Sequence, residues 1–181
     1  MNKQPMRPFD LWQETLAPLA HGGLLLCTMG VDGKPNPMTI GWMAGGVIWG
    51  KPIVEVLVRP SRYSYSRLEQ GAEFTVNVMP AEFAEAIQIC GSVSGRDTDK
   101  FADTGLTRAP SQRVKVPLIE QAAISYEFRV IHINEVIPSR LAPGIASAFY
   151  PQGDFHRVFF GEALAAWAAP DAQAQLAGWL R

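Results

Sequence analysis

The chain reads as a mainly β protein, an antiparallel barrel decorated by short helices. Three observations predict this. Six or seven segments have strand character, and most are separated by hairpin-length turns. Clean period-2 alternation appears at residues 73–78 and again at 125–133. Only two or three helix-like stretches lie between the strands, without the regular strand–helix alternation of a doubly wound sheet.

In chain order, residues 1–22 form a lead-in with one short helix. Phe9, Trp12 and Leu16 recur at helical spacing, Asp10 is placed to cap the start, and Pro18 interrupts the pattern. Residues 24–31 are apolar and end at Asp32-Gly33, a hairpin signal. The partner strand runs from about Asn36 to Met43, and turns at Gly45-Gly46 and Gly50-Lys51-Pro52 follow. Residues 53–59 are β-branched and apolar up to Pro60. Residues 61–70 predict a helix capped by Ser61 and closed by Gly71 in the left-handed conformation. In residues 73–78, Phe74, Val76 and Val78 face one way, and Thr75 and Asn77 the other. A second helix spans 81–89 and leads into a Gly- and Ser-rich stretch, 90–107, with a short helical turn. Residues 125–133 alternate again; 138–153 are turn-rich; 156–166 form the last long strand; a small amphipathic helix follows Pro170.

Length and composition suit one domain spanning 1–181 with its core at about 24–166. A formal net charge of -1 offers no broad basic surface, so capture of nucleic acid is not expected. No apolar run approaches the roughly 20 residues of a membrane span, and Asp10, Gln13 and Glu14 interrupt any signal-peptide core. Two cysteines without a C-x-x-C spacing read as buried thiols of a cytoplasmic protein.

Several chemistries lack their motifs. No G-x-G-x-x-G follows a strand, and no Gly-Lys-Ser/Thr triplet completes a phosphate loop. Val93 stands where a hydrolase elbow needs its serine. The three histidines, His21, His132 and His156, are scattered, which argues against a metal site. An enzyme built this way relies on a cofactor for its chemistry.

Four segments carry more polar chemistry than a barrel needs. Asn36-Pro37-Met38-Thr39-Ile40-Gly41-Trp42 opens a strand with hydrogen-bonding groups and ends on a glycine and an indole. Arg59-Pro60-Ser61-Arg62-Tyr63-Ser64 sets two guanidiniums and several hydroxyls at a strand-to-helix junction, where free N–H groups favour anions. Asn77 lies on the polar face of its strand. The fourth is Ser94-Gly95-Arg96-Asp97-Thr98-Asp99-Lys100-Phe101, closing at Gly105-Leu106-Thr107. Its glycine admits close backbone approach, its hydroxyls donate, and its cations attract phosphate. Ordinary alternatives exist for each. Polar loops share this composition, Arg62 and Arg67 suit a solvated helix face, Trp42 suits a core, and Asp97 and Asp99 suit pairing with Arg96 and Lys100.

Together, and in this order, the segments resemble the flavin reductase-like family, whose members share the FMN-binding split barrel, antiparallel and of Greek-key type. The resemblance runs from about Leu24 to Leu164 and includes Lys51-Pro52, Glu73-Phe74-Thr75-Val76-Asn77-Val78 and Phe160-Gly161-Glu162. It implies FMN (or FAD), often at a homodimer interface, reduced by NADH or NADPH, with electrons passing to an acceptor or a partner monooxygenase. A non-enzymatic FMN electron carrier is the alternative. On this likeness, Arg59, Ser61, Arg62 and Ser64 would lie near the ribityl-phosphate, and Ser94, Gly95, Arg96 and Lys100 would close on the phosphate from the other side. Asn36, Met38, Thr39 and Trp42 would meet the isoalloxazine ring, with Asn77 a further cofactor contact. His156 matches a histidine near the flavin in family members and is the candidate catalytic residue. The family's pattern sets that histidine directly after Gly-Asp, whereas here Phe155 separates it from Gly153-Asp154.

Overall fold

The computed structural model describes residues 2–180. Its elements, in chain order, are β1 (Gln4–Met6), α1 (Trp12–His21), β2 (Leu24–Met29), β3 (Pro35–Ile40), β4 (Met43–Ile48), β5 (Lys51–Val58), α2 (Tyr63–Gly71), β6 (Glu73–Val78), α3 (Ala84–Ser92), α4 (Lys100–Thr104), β7 (Arg108–Ala109), β8 (Leu118–Ile119), β9 (Ile124–Glu135), α5 (Pro143–Phe149), β10 (Arg157–Ala168) and α6 (Ala172–Leu176). Seven strands run in the order β3-β2-β6-β9-β10-β5-β4, every pair antiparallel, and β1 adds to β10. Strand β10 breaks register with β9 at Phe160/Gly161 and Ala163/Ala165. Such bulges bend a strand and help a sheet to curl. The fold is the mainly β, antiparallel architecture expected. No helix among the described residues is long and apolar enough to cross a membrane.

Strand β2 explains how the core is arranged. Leu24 and Leu26 enter one apolar cluster with Val54, Val56, Phe74, Val76, Tyr126, Phe128 and Phe159. Leu25 and Cys27, on the other face, enter a second cluster with Met79, Ile87, Cys90, Phe101 and Ile119. The strand is covered on both sides, which is why its apolar run is continuous rather than alternating.

The second covering reassigns Asn77. It is fully buried; its Oδ1 accepts from the Ile119 N–H at 3.0 Å and from Ser125 Oγ at 3.0 Å. Thr75, Asn77, Ser125 and Glu127 share one face of β6 and β9 by register. Together they hold the 110–119 segment: Thr75 Oγ1 donates to the Pro117 carbonyl at 2.8 Å, and Glu127 accepts from the N–H groups of Gln112, Arg113 and Val114. Asn77 therefore fixes structure away from any groove, and the cofactor role expected for it is corrected.

Local departures have local reasons. Asp10 accepts from the Arg7 N–H at 3.1 Å instead of capping α1, which starts at Trp12 and contains Pro18. The β4–β5 hairpin turns on Trp49 and Gly50, with φ of 53° and 70°, the geometry of a two-residue turn that matches strand twist. Residues 43–48, expected as turns and the end of a longer strand, are thus the edge strand β4. Helix α2 starts at Tyr63, not Ser61, and Ala72 takes the left-handed position expected of Gly71.

Candidate functional site

Two adjoining cavities form a groove that shares Met38 and Arg62. One end, of about 220 Å³, is floored by the β3–β4 corner, from Met38 through Thr39, Ile40 and Gly41 to Trp42, and bounded by Leu57, Arg59 and His156. The other end, of about 140 Å³, is lined by Asn36, Ser61, Arg62, Tyr63, Ser64, Cys90, Ser94, Gly95, Arg96 and Lys100. The Trp42 end carries two rings, Trp42 and His156, beside Arg59 and Arg62; the other end is lined by Arg62, Arg96 and Lys100. The structure thus brings together thirteen of the fourteen predicted site residues, Asn77 being the exception.

The cationic end depends on close packing. Asn36 Nδ2 donates to Ser64 Oγ at 2.9 Å, tying β3 to the first turn of α2. A Cβ on Gly95 would stand 1.9 Å from Asn36 Oδ1, so only glycine lets the 94–96 loop lie against this pair. Asn36 therefore shapes the cationic end, which corrects the expectation that it meets the ring. Lys100 is 4% exposed, and its ammonium donates to the Cys90 carbonyl at 2.7 Å. Burial lowers its pKa from the ordinary lysine value, and the Arg62 charge adds to the effect. Arg96 donates to the Ser61 carbonyl at 3.3 Å and lies 5.1 Å over the Tyr63 ring. Asp99 caps α4 at the Phe101 N–H (3.0 Å) and pairs with Arg108 (3.1 Å), as loop scaffolding.

Two predicted phosphate donors are already engaged. Ser61 N–H and Oγ both donate to the Asp154 carboxylate, at 3.2 and 2.6 Å. Arg59 donates to the Asp154 and Phe149 carbonyls at 3.1 and 2.8 Å. Both residues clamp the β9–β10 connection; Ser61 also lines the cationic end of the groove, whereas Arg59 lines the Trp42 end. Tyr150 does not stand out in the sequence, because the turn-rich 138–153 stretch has no period that marks a contact, and Asp154 enters there only in the Gly153-Asp154 pair, without a role of its own.

At the ring end, Trp42 meets His156 at a centroid distance of 4.6 Å and Phe149 edge-on at 5.2 Å. His156 Nδ1 shares a 2.8 Å hydrogen bond with Tyr150 Oη. Burial, reinforced by the Arg59 charge, pushes the His156 pKa down to about 4, so the imidazole is neutral near pH 7. Thr39, which lines this end, donates its Oγ1 to the Ile87 carbonyl.

Residues 17–181 match the flavin reductase like domain. The chain belongs to this family. An uncharacterized protein of Archaeoglobus fulgidus is 32% identical over 106 residues, an alignment spanning 59% of this chain and 59% of the relative. The chain thus spans under two thirds of the curated relatives' length. Among solved structures, flavoredoxin of Desulfovibrio vulgaris superposes with a TM-score of 0.66 at 22% identity, covering 82% of this chain and 70% of that one. The NADH:FAD oxidoreductase of Streptomyces globisporus superposes at 0.64 with 21% identity, covering 92% and 88%. These likenesses establish the split-barrel fold for this flavin reductase-like chain.

Proposed function

We propose that the groove binds a flavin nucleotide and that the protein is an NAD(P)H-dependent flavin oxidoreductase working as a cytoplasmic homodimer. The observation that carries this reading is the groove's polarity. An aromatic floor at Trp42 adjoins a cationic end where Lys100, Arg96, Arg62 and Ser94 line one small cavity. Arg62 donates its main-chain N–H to the Arg59 carbonyl at 3.0 Å, and among the described residues no acceptor within hydrogen-bond distance engages its guanidinium. Cationic donors in excess of acceptors suit a phosphate group.

A bound flavin would supply the hydride chemistry, taking two electrons from a nicotinamide and passing them to an acceptor or a partner monooxygenase. The chain's own part is to hold and orient. Arg62, Arg96 and Lys100 would hold the phosphate, Ser64 and Gly95 keep that end in shape, and Met38, Thr39 and Trp42 would support the ring. His156, neutral near pH 7 and held by Tyr150, offers hydrogen bonding without a positive charge. Val47 and Trp49, 73% and 62% exposed on the edge hairpin, support a second copy covering that edge. The buried free thiols of Cys27 and Cys90 support a reducing compartment.

The test is a visible spectrum of the purified protein with and without added FMN or FAD, then anaerobic NADH or NADPH, with the mass taken by light scattering. A yellow dimer bleached by either nicotinamide is expected. Failure to take up any flavin would overturn the reading; a yellow protein that neither nicotinamide bleaches would assign it to electron carriage between proteins.

A further inference from the structure

A cavity of about 510 Å³, larger than either end of the groove, adjoins it. It opens beyond Asn36, Tyr63, Gly95, Arg96 and Lys100, all of which also line the groove's cationic end, so the two spaces share one wall of side chains. Resting on the flavin reading above, we propose that this cavity is a second phosphate site, which takes the distal phosphate and ribose of a dinucleotide flavin. The groove is then built for FAD in preference to FMN.

The charges support an anion. Lys34, Arg67, Arg96, Lys100 and Arg108 line the cavity against Asp32, Asp97 and Asp99. Two of these carboxylates are engaged. Asp32 accepts from the Lys34 N–H at 3.0 Å and stands 3.5 Å from Arg67, while Asp99 holds the start of α4 and Arg108. Arg67 is 5% exposed, donates to the Lys34 carbonyl at 2.6 Å, and has a buried Nε without an acceptor. The Tyr63 ring carries two guanidiniums, Arg67 at 4.0 Å and Arg96 at 5.1 Å; Arg67 lines the second cavity and Arg96 lines both spaces. The remaining carboxylate, Asp97, is of the kind that accepts from ribose hydroxyls. FMN ends at its only phosphate. A ligand held there by Arg62 and Lys100 meets the second cavity only if its chain continues through another phosphate past Arg96.

The experiment measures dissociation constants of riboflavin, FMN and FAD by fluorescence titration for the wild-type protein, Arg108→Ala and Lys34→Ala. Both substitutions lie on exposed positions outside the groove. FAD is expected to bind the wild type about tenfold more tightly than FMN, and each variant to lose several-fold in FAD affinity with FMN unchanged. Equal affinity for FMN and FAD in the wild type would overturn the proposal, as would variants that weaken both flavins alike. A further arm titrates FMN-loaded protein with ADP-ribose. Binding of ADP-ribose that Arg108→Ala abolishes, without any FAD advantage, would give the cavity to a separate nucleotide and overturn the assignment. Absence of binding by every flavin would instead remove the parent reading.

Discussion

Glu127 and Lys100 are both charged and nearly inaccessible, at 0% and 4% exposure, yet they are partnered in opposite ways. The Glu127 carboxylate accepts from three main-chain N–H groups, of Gln112 (3.0 Å), Arg113 (2.6 Å) and Val114 (3.2 Å), and from the Trp167 indole at 2.7 Å. The Lys100 ammonium has three hydrogens to donate and a protein acceptor for one, the Cys90 carbonyl, with Arg62 adding positive charge nearby. Burial alone does not separate a structural charge from a binding one; the balance of donors and acceptors does. A saturated carboxylate organises its own loop. An under-used ammonium among other cations keeps donors that an acceptor from outside can fill.

The comparison breaks most visibly at Glu127. Glu127→Ala leaves three amides and an indole without their acceptor and is expected to cost about 3–5 kcal/mol in urea unfolding. Flavin affinity of the folded protein should stay within about twofold, since no groove residue is touched. A loss below about 1 kcal/mol would mean that solvent satisfies those donors and that the contrast is false. At Lys100 the effects should exchange. Lys100→Ala is expected to weaken FMN by about 10–100-fold while leaving riboflavin unchanged, the difference being the phosphate. Unfolding stability should hold or rise, because a desolvated ammonium is removed. Equal losses for FMN and riboflavin would take Lys100 out of the phosphate end.

How far the sequence reveals this molecule depends on whether a residue's partner is near it in the chain. Strand β6 follows from its own alternation, and the 94–101 loop announces a polar, cationic surface through composition. Asn77 misleads for the same reason that β6 is easy: alternation assigns it to a polar face, and only the fold shows that the 110–119 segment covers that face. Arg59 and Ser61 carry the right chemistry for phosphate, but Asp154, more than ninety positions away, already engages Ser61, and Arg59 holds carbonyls of the same segment. Trp49 takes a left-handed φ that its own side chain disfavours, where its ring lies 5.8 Å from His132 and 6.1 Å from Phe160, contacts no local pattern contains.

The smallest expected effect sharpens the comparison at a third buried group. His156 is partnered by Tyr150 in its neutral form, with its pKa lowered to about 4 from the ordinary value of 6.5. Above pH 6.5 the imidazole is neutral whether the chain is folded or not, and it contributes no pH dependence. As pH falls from 6.5 towards 4, the unfolded chain binds a proton that the folded site refuses. Stability should therefore drop over that window, by at most about 3 kcal/mol, and level off from this source below pH 4. His156→Gln keeps a hydrogen-bonding side chain beside Tyr150 and cannot titrate. Urea unfolding at pH 7.5, 5.5 and 4.5 should show the variant losing less stability on acidification than the wild type. Parallel losses would mean that His156 is protonated within the fold, and it would then join Arg62 and Lys100 as a cation of the groove rather than a neutral partner of its aromatic end.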